Sequence, residues 1–262
     1  MTRDEGRVRQ AEHVRRQEEH VRRQEEHVRR QEEHVRQDER ARRAEQGPIV
    51  PGLPDVPGIG VAMRLTPGLG VHLRGLADEV LVNDFPGATL ARHERELLAT
   101  AVSAANDCFF CMDSHGAFAT ALLERDGLAE RVELIDVVKQ GASDGFDPKM
   151  RALLHIARVV RGNPLDLTAD DVHAAKAAGA ADADVQLAVL IASAFSMYNR
   201  LVDGFRAVTP PSVDAYRQRA AEIAELGYSA PSPSASSGGA NGAPAGNGQP
   251  SAAPPPEPAG PR

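Results

Sequence analysis

His93-Glu94-Arg95-Glu96-Leu97-Leu98-Ala99-Thr100-Ala101-Val102-Ser103-Ala104-Ala105-Asn106-Asp107-Cys108-Phe109-Phe110-Cys111-Met112-Asp113-Ser114-His115 is the stretch on which the reading of this chain turns. Its first half is apolar at helical spacing: with Leu90 just ahead of it, Leu97, Leu98, Ala101, Val102 and Ala105 share one face. Thr89 is the expected N-cap of that helix, and Asn106-Asp107 the expected end. Asp107 then reads as the cap of a second helix over residues 108–124.

Outward from this stretch the same period continues. The spacing predicts helices over residues 68–82, 128–139, 148–161, 168–178, 183–205 and 212–226. Thr168-Ala169-Asp170-Asp171 has capping-box spacing, with Asp in the place of Glu or Gln. Residues 48–67, rich in Pro and Gly, read as loop or short turns. Apolar alternation at period two is absent, so the fold class is all-α, one helical domain over residues 47–228. Some 182 residues suffice for one well-buried core.

Composition separates that domain from its flanks. Residues 1–46 hold 13 Arg and 12 acidic residues, whereas the rest of the chain holds 17 basic and 25 acidic ones. This charged arm carries a tandem heptad, Gln-Glu-Glu-His-Val-Arg-Arg, phased by Val14, Val21, Val28 and Val35. One apolar residue per heptad, with Gln17 and Gln24 facing the seam, is too little for a coiled coil. The arm is expected to be helical or disordered, held by Glu–Arg pairs on a solvated surface. Residues 229–262 include nine Pro among Ala, Gly and Ser and are expected to be disordered.

The formal charge of −7 and the 4% aromatic content argue against a nucleic-acid partner. No run approaches 18 apolar residues, so no membrane span or membrane partner is expected. The charged N-terminus lacks an apolar signal region, and two cysteines make no disulfide scaffold. The expected compartment is the cytoplasm.

The chemistry lies at the start of the second helix. Cys108, Cys111 and His115 are spaced i, i+3, i+7 and form one stripe. Free backbone N–H groups at a helix start stabilise a thiolate, and an imidazole one turn below Cys111 can exchange a proton with it. Two thiols three residues apart can also close a disulfide, which gives a two-electron cycle. By the dipole alone, Cys108 is the more acidic thiol. Glu96 shares a stripe with His93, Thr100 and Ser103, away from the leucine face. Its plain reading is solvated surface; a helical hairpin would instead set it beside the next helix as a proton acceptor.

Glu96, an eleven-residue gap, Cys108-x-x-Cys111, then His115 resembles the signature of the alkylhydroperoxidase D family, within the carboxymuconolactone decarboxylase-like superfamily. Ser103-Ala-Ala-Asn-Asp-Cys-Phe-Phe-Cys-Met-Asp-Ser-His-Gly116 and Phe195-Ser-Met-Tyr-Asn-Arg-Leu-Val-Asp203 are similar to its peroxidase-related branch. The resemblance spans roughly residues 49–204. It implies a helical unit that assembles as a homo-oligomer, a trimer or hexamer, and a thiol-dependent peroxidase of the peroxiredoxin type. In that reading Cys111 attacks a hydroperoxide, Cys108 resolves the sulfenic acid into a disulfide, and Glu96 with His115 relays the proton. The best-known branch carries a His where this chain has Phe110. The implied partners are a hydroperoxide substrate and a thiol or dithiol electron donor, with no cofactor and no metal.

Three other readings use the same residues. A structural zinc site would take Cys108, Cys111, His115 and either Glu96 or His93, although one helix spreads such ligands over about 10 Å. A non-redox lactone decarboxylase is implied by the wider superfamily, whose members generally lack the paired thiols. A non-catalytic oligomeric scaffold would leave the thiols idle. Elsewhere, Leu190 and Leu201 read as core, His155 as a packing histidine, and Arg200 as half of an ion pair at a subunit contact. Phe109 and Phe110 read as an apolar shield for the thiols.

Overall fold

The computed structural model describes residues 47–210 and 212–229, together with Gln24, Gln31, Val35, Asp38, Glu39, Ala41 and Arg42 of the arm, which are helical. The rest of the arm, and the Pro-rich tail beyond Ser229, lie outside the described residues. Among the described residues nine α-helices follow the arm in order: α1 Gly60–Leu65, α2 Pro67–Leu81, α3 Arg92–Ala105, α4 Phe109–Arg125, α5 Glu133–Lys139, α6 Pro148–Gly162, α7 Ala169–Ala177, α8 Asp182–Gly204 and α9 Arg217–Leu226. Short 3₁₀ turns cover Ala129–Arg131, Pro164–Asp166 and Val213–Tyr216. No strand occurs among the described residues. The all-α reading of the domain holds.

Local chemistry sets most of the helix starts. Thr66 accepts from Leu69 N and Asp147 from Met150 N, each with Pro at the first helical position, where its missing N–H costs nothing. Thr168 and Asp171 form the expected capping box ahead of α7. At α3 the expected cap is replaced. The helix starts at Arg92, and Glu94 reaches back to Ala91 N at 2.8 Å. Thr89 is drawn instead into a long-range tie, its N–H and hydroxyl donating to the Asp184 carboxylate at 2.6 and 2.8 Å. Leu90 N and Ala181 N donate to the same group. Asp184 thus fastens the start of α3 to the start of α8. Burial alone would push its carboxyl up, but these donors outweigh burial and hold it below the usual range.

The core is built around α8. Leu187, Ala188, Ile191, Ala192 and Phe195 are fully or almost fully buried against α3 and α6. Each buried Leu or Ile contributes roughly 1.5–3 kcal/mol. By length and composition α8 could cross a bilayer, which the unbroken-run criterion did not register. Its apolar residues are packed inside the domain, beside buried Asp184 and Asn199. Leu190, expected in the core, is 44% exposed, because the stripe facing α3 and α6 is narrower than the apolar content of the helix.

Two further expectations change. The Pro/Gly-rich lead-in contains α1, whose Val61 and Ala62 are buried, so tertiary packing overrides a composition that reads as loop. His155 is largely exposed, with Nε2 2.9 Å from Asp171, rather than packed. Arg200 donates to Ser196 O within its own helix.

Asp184→Ala leaves the Thr89, Leu90 and Ala181 donors unanswered in a buried site. It is expected to cost roughly 2–4 kcal/mol, read as a thermal-melting midpoint lower by on the order of 5–15 °C in circular dichroism. A midpoint within a degree of wild type would contradict this account of how α3 and α8 are joined.

Candidate active site

α3 and α4 form a tight antiparallel hairpin, the most extensive helix pairing in the domain. The chain reverses through Asn106 and Asp107, and Asp107 takes a left-handed backbone (φ 52°) that Asp tolerates better than most residues. Asp107 is therefore part of the turn, and Cys108 is the N-cap of α4. The Asn106 side chain is fixed by two other helices, α6 and α8. It accepts from Arg161 Nε at 2.6 Å and donates to Asn199 Oδ1 at 2.8 Å, while Asn199 donates to Ser103 Oγ.

The hairpin decides the fate of the polar stripe on α3. His93, Glu96, Thr100 and Ser103 are all buried, Glu96 completely. They are not solvated surface; they face α4. His115 Nδ1 lies 2.7 Å from Glu96 Oε2. A carboxylate only accepts, so Nδ1 carries the hydrogen that faces Glu96, and Nε2 is the ring nitrogen on the other side. Edge contacts with Phe118 and Phe195 hold the ring. Four residues back on α4, one turn away on the same face, is Cys111.

Both sulfurs are buried, Cys108 at 0% and Cys111 at 2% exposure, and both are free thiols. They share an apolar cluster with Val61 of α1 and Val202 of α8, joined by Val56, Ile59 and Phe110. The lead-in thus closes over the thiols. Phe110 packs edge-on against Tyr216 and so tightly against Gly58 that a Cβ there would overlap its ring. Of the two expected shielding residues, Phe110 roofs the cluster, whereas Phe109 is buried outside it.

The two thiols differ. The Cys108 thiol is pushed far above the ordinary range by its hydrogen bond to Cys111, then by burial and by the neighbouring Cys111 sulfur and Asp203. The Cys108 Sγ also lies 4.0 Å from Asn199 O. The dipole, which favoured Cys108, is opposed there by burial and by the neighbouring sulfur, both of which favour the neutral thiol. Cys111, third residue of α4, lies within the first turn, where N–H groups are free.

One participant was not legible. Tyr228, beyond α9, donates its hydroxyl to Glu96 Oε1 at 2.6 Å and approaches His115 Nδ1 to 3.3 Å. Nothing in the motif spacing points to a residue 132 positions from Glu96; a lone Tyr at the edge of a Pro/Ala/Gly tail was its only trace. Of the zinc alternative, His93 is turned to Asp126 at 3.4 Å. Among the described residues no three His, Cys, Asp or Glu side chains converge as a ligand group.

Residues 74–159, from the middle of α2 through most of α6, match the model of the carboxymuconolactone decarboxylase family. This segment contains Glu96, Cys108, Cys111 and His115. Over that third of the chain the sequence is similar to the carboxymuconolactone decarboxylase family. Two solved structures share the fold. One is an uncharacterized peroxidase-related protein from Silicibacter sp. TM1040, 20% identical over 65% of this chain and 91% of that one, with a TM-score of 0.52. The other, from Ralstonia eutropha JMP134, is a peroxidase-related protein described as an alkylhydroperoxidase AhpD core; it is 24% identical over 63% of this chain and 82% of that one, with a TM-score of 0.50. No curated protein matches the chain.

Because Cys108 keeps its proton, limited alkylation of the reduced protein is expected to label Cys111 first. Labelling of Cys108 should need a pH above the ordinary thiol range of about 8.5. Peptide mapping after a brief iodoacetamide pulse at several pH values checks the order; Cys108 reacting first at neutral pH would reverse the assignment of the two sulfurs.

Proposed function

We propose that this protein is a thiol peroxidase that reduces organic hydroperoxides through a Cys108/Cys111 dithiol–disulfide cycle. The observation that carries the reading is the buried Glu96–His115 pair at 2.7 Å, one helical turn from two buried free thiols. A carboxylate-oriented imidazole beside a paired dithiol is a proton-transfer device matched to sulfur chemistry.

In the first step His115 Nε2 takes the Cys111 proton, and Glu96 steadies the imidazolium through Nδ1. The Cys111 thiolate attacks the terminal oxygen of R–O–OH and the O–O bond breaks. Sulfur is oxidised to Cys111–SOH, and RO⁻ leaves with the proton from His115 as ROH. In the second step the Cys108 sulfur displaces hydroxide from the sulfenic acid. The Cys108–Cys111 bond forms, and the Cys108 proton leaves with the hydroxide as water. A thiol or dithiol donor then returns two electrons and two protons. Cys108, protonated and hydrogen-bonded to Cys111, suits the resolving role; Cys111, in the first turn of α4, suits the attacking one.

The apolar roof of Phe110 with Val56 and Ile59 favours an organic hydroperoxide over hydrogen peroxide. The cycle needs a reducing compartment, consistent with a cytoplasmic location. A homo-oligomer, trimer or hexamer, is part of the proposal; light scattering of the purified chain tests it.

One equivalent of cumene hydroperoxide is expected to remove two titratable thiols and two mass units from the reduced protein, with no metal added. Cys111→Ser should abolish turnover, and Cys108→Ser should stop at the sulfenic acid, one oxygen heavier. Glu96→Gln should lower kcat/KM by on the order of 10²–10³. Undiminished peroxide consumption by Cys111→Ser would defeat the proposal.

A further inference from the structure

The relay has a third hydrogen-bond partner from outside the hairpin. Glu96 is fully buried, and both its oxygens are occupied: Oε2 by His115 Nδ1 and Oε1 by the Tyr228 hydroxyl. Tyr228 arrives on a short strap that follows α9. Gly227 turns the chain with φ 77°, which favours glycine. The Asp78 carboxylate on α2 then accepts from Tyr228 N at 2.6 Å and Ser229 N at 2.9 Å. Arg92, one turn before Glu96 on α3, donates to Ile223 O and Ala224 O at the end of α9, and Arg125 on α4 donates to Ala224 O as well. These ties converge on one place, and what they deliver is a hydroxyl on the relay carboxylate.

We propose that Tyr228 is a positioning residue of the relay: its hydroxyl holds Glu96 as an aimed carboxylate, so that the other oxygen keeps His115 in the tautomer that accepts the thiol proton. The inference rests on the peroxidase reading for its consequence, and on the three-way contact for its geometry. A buried carboxylate with a single donor would lose much of the stabilisation of its charge. Two donors aimed at its two oxygens fix both its charge and its plane. Tyr228 is suited to donate and not to ionise: burial, then the neighbouring Glu96 charge, push its hydroxyl well above the usual tyrosine range. Its ring also stacks over His115 and meets Phe118 edge-on, so the same side chain walls the imidazole.

The charged groups acting on the Tyr228 hydroxyl are Glu96 and Arg92 on α3 and Asp78 on α2, with His115 of α4 beside it. α9 contributes the backbone carbonyls that hold Arg92, and Tyr198 on α8 is turned away, donating to Leu73 O at 2.7 Å. Removing the Tyr228 hydroxyl therefore acts chiefly on the Glu96 carboxylate. With one donor gone, its charge is less well compensated in a buried place and its aim at His115 is loosened.

Tyr228→Phe keeps the ring and removes only the donor. Two profiles are measured across pH 5–9 on the full chain: kcat/KM for cumene hydroperoxide, and the rate at which iodoacetamide labels Cys111 in the resting protein. In both, the acidic limb is expected to move up by about one pH unit, with a loss of about tenfold on that limb and recovery towards wild type above it. Asp78→Ala, which frees the strap while leaving Tyr228 in place, should move the limb in the same direction by less, and serves if the Phe variant does not fold. A uniform loss at every pH, or limbs coincident with wild type in the folded variants, overturns the role. A labelling profile that shifts while the wild-type protein consumes no peroxide supports the role of Tyr228 and sinks the peroxidase reading instead.

Discussion

The site depends on a carboxylate kept dry. Glu96 has no exposed surface, and a lone carboxylate in such a place would not stay charged. It is tolerable because His115 and Tyr228 each give it a hydrogen bond. Those bonds exist only if α3 and α4 lie antiparallel with residue 96 level with residue 115, and if the chain beyond α9 returns to the same spot. The turn at Asn106–Asp107 and the strap at Gly227–Ser229 are therefore both requirements of one interaction.

The polar network outside the relay follows from the same need. Asp184 joins the starts of α3 and α8, and the Arg161–Asn106–Asn199–Ser103 chain joins the end of α3 to α6 and α8. With both ends of α3 fixed, Glu96 at its centre has little freedom. On the other side of α4 the thiols sit under α1 and Phe110. The thiols and His115 thus occupy adjacent turns of one helix, the first in an apolar cluster and the second paired with Glu96 among buried polar groups.

The helical class, most helix boundaries and the Glu96–Cys108–Cys111–His115 spacing were legible because each is a local pattern. The 3.6-residue period survives in any fold that buries one face, and caps such as Asp147, Thr66 and Thr168 act within a turn of themselves. Thr89 misled because its hydroxyl had a better acceptor 95 positions away. The stripe of Glu96 misled for a related reason: a polar face reads as solvated until another helix is known to cover it. α1 was hidden by its Pro- and Gly-rich surroundings, and its reason to exist is the sulfur pair that it covers.

The sequence by itself determined that this chain is helical, that two thiols stand at the head of one helix, and that an imidazole follows one turn on along the same stripe. Periodicity and spacing along the chain are enough for that. Only the tertiary structure decided that the carboxylate is buried, that both sulfurs lie in an apolar cluster, and that a tyrosine beyond the last helix completes the cluster around Glu96. Burial and hydrogen-bond pairing depend on which segments meet in space, and segments more than a hundred residues apart leave no period by which to find each other.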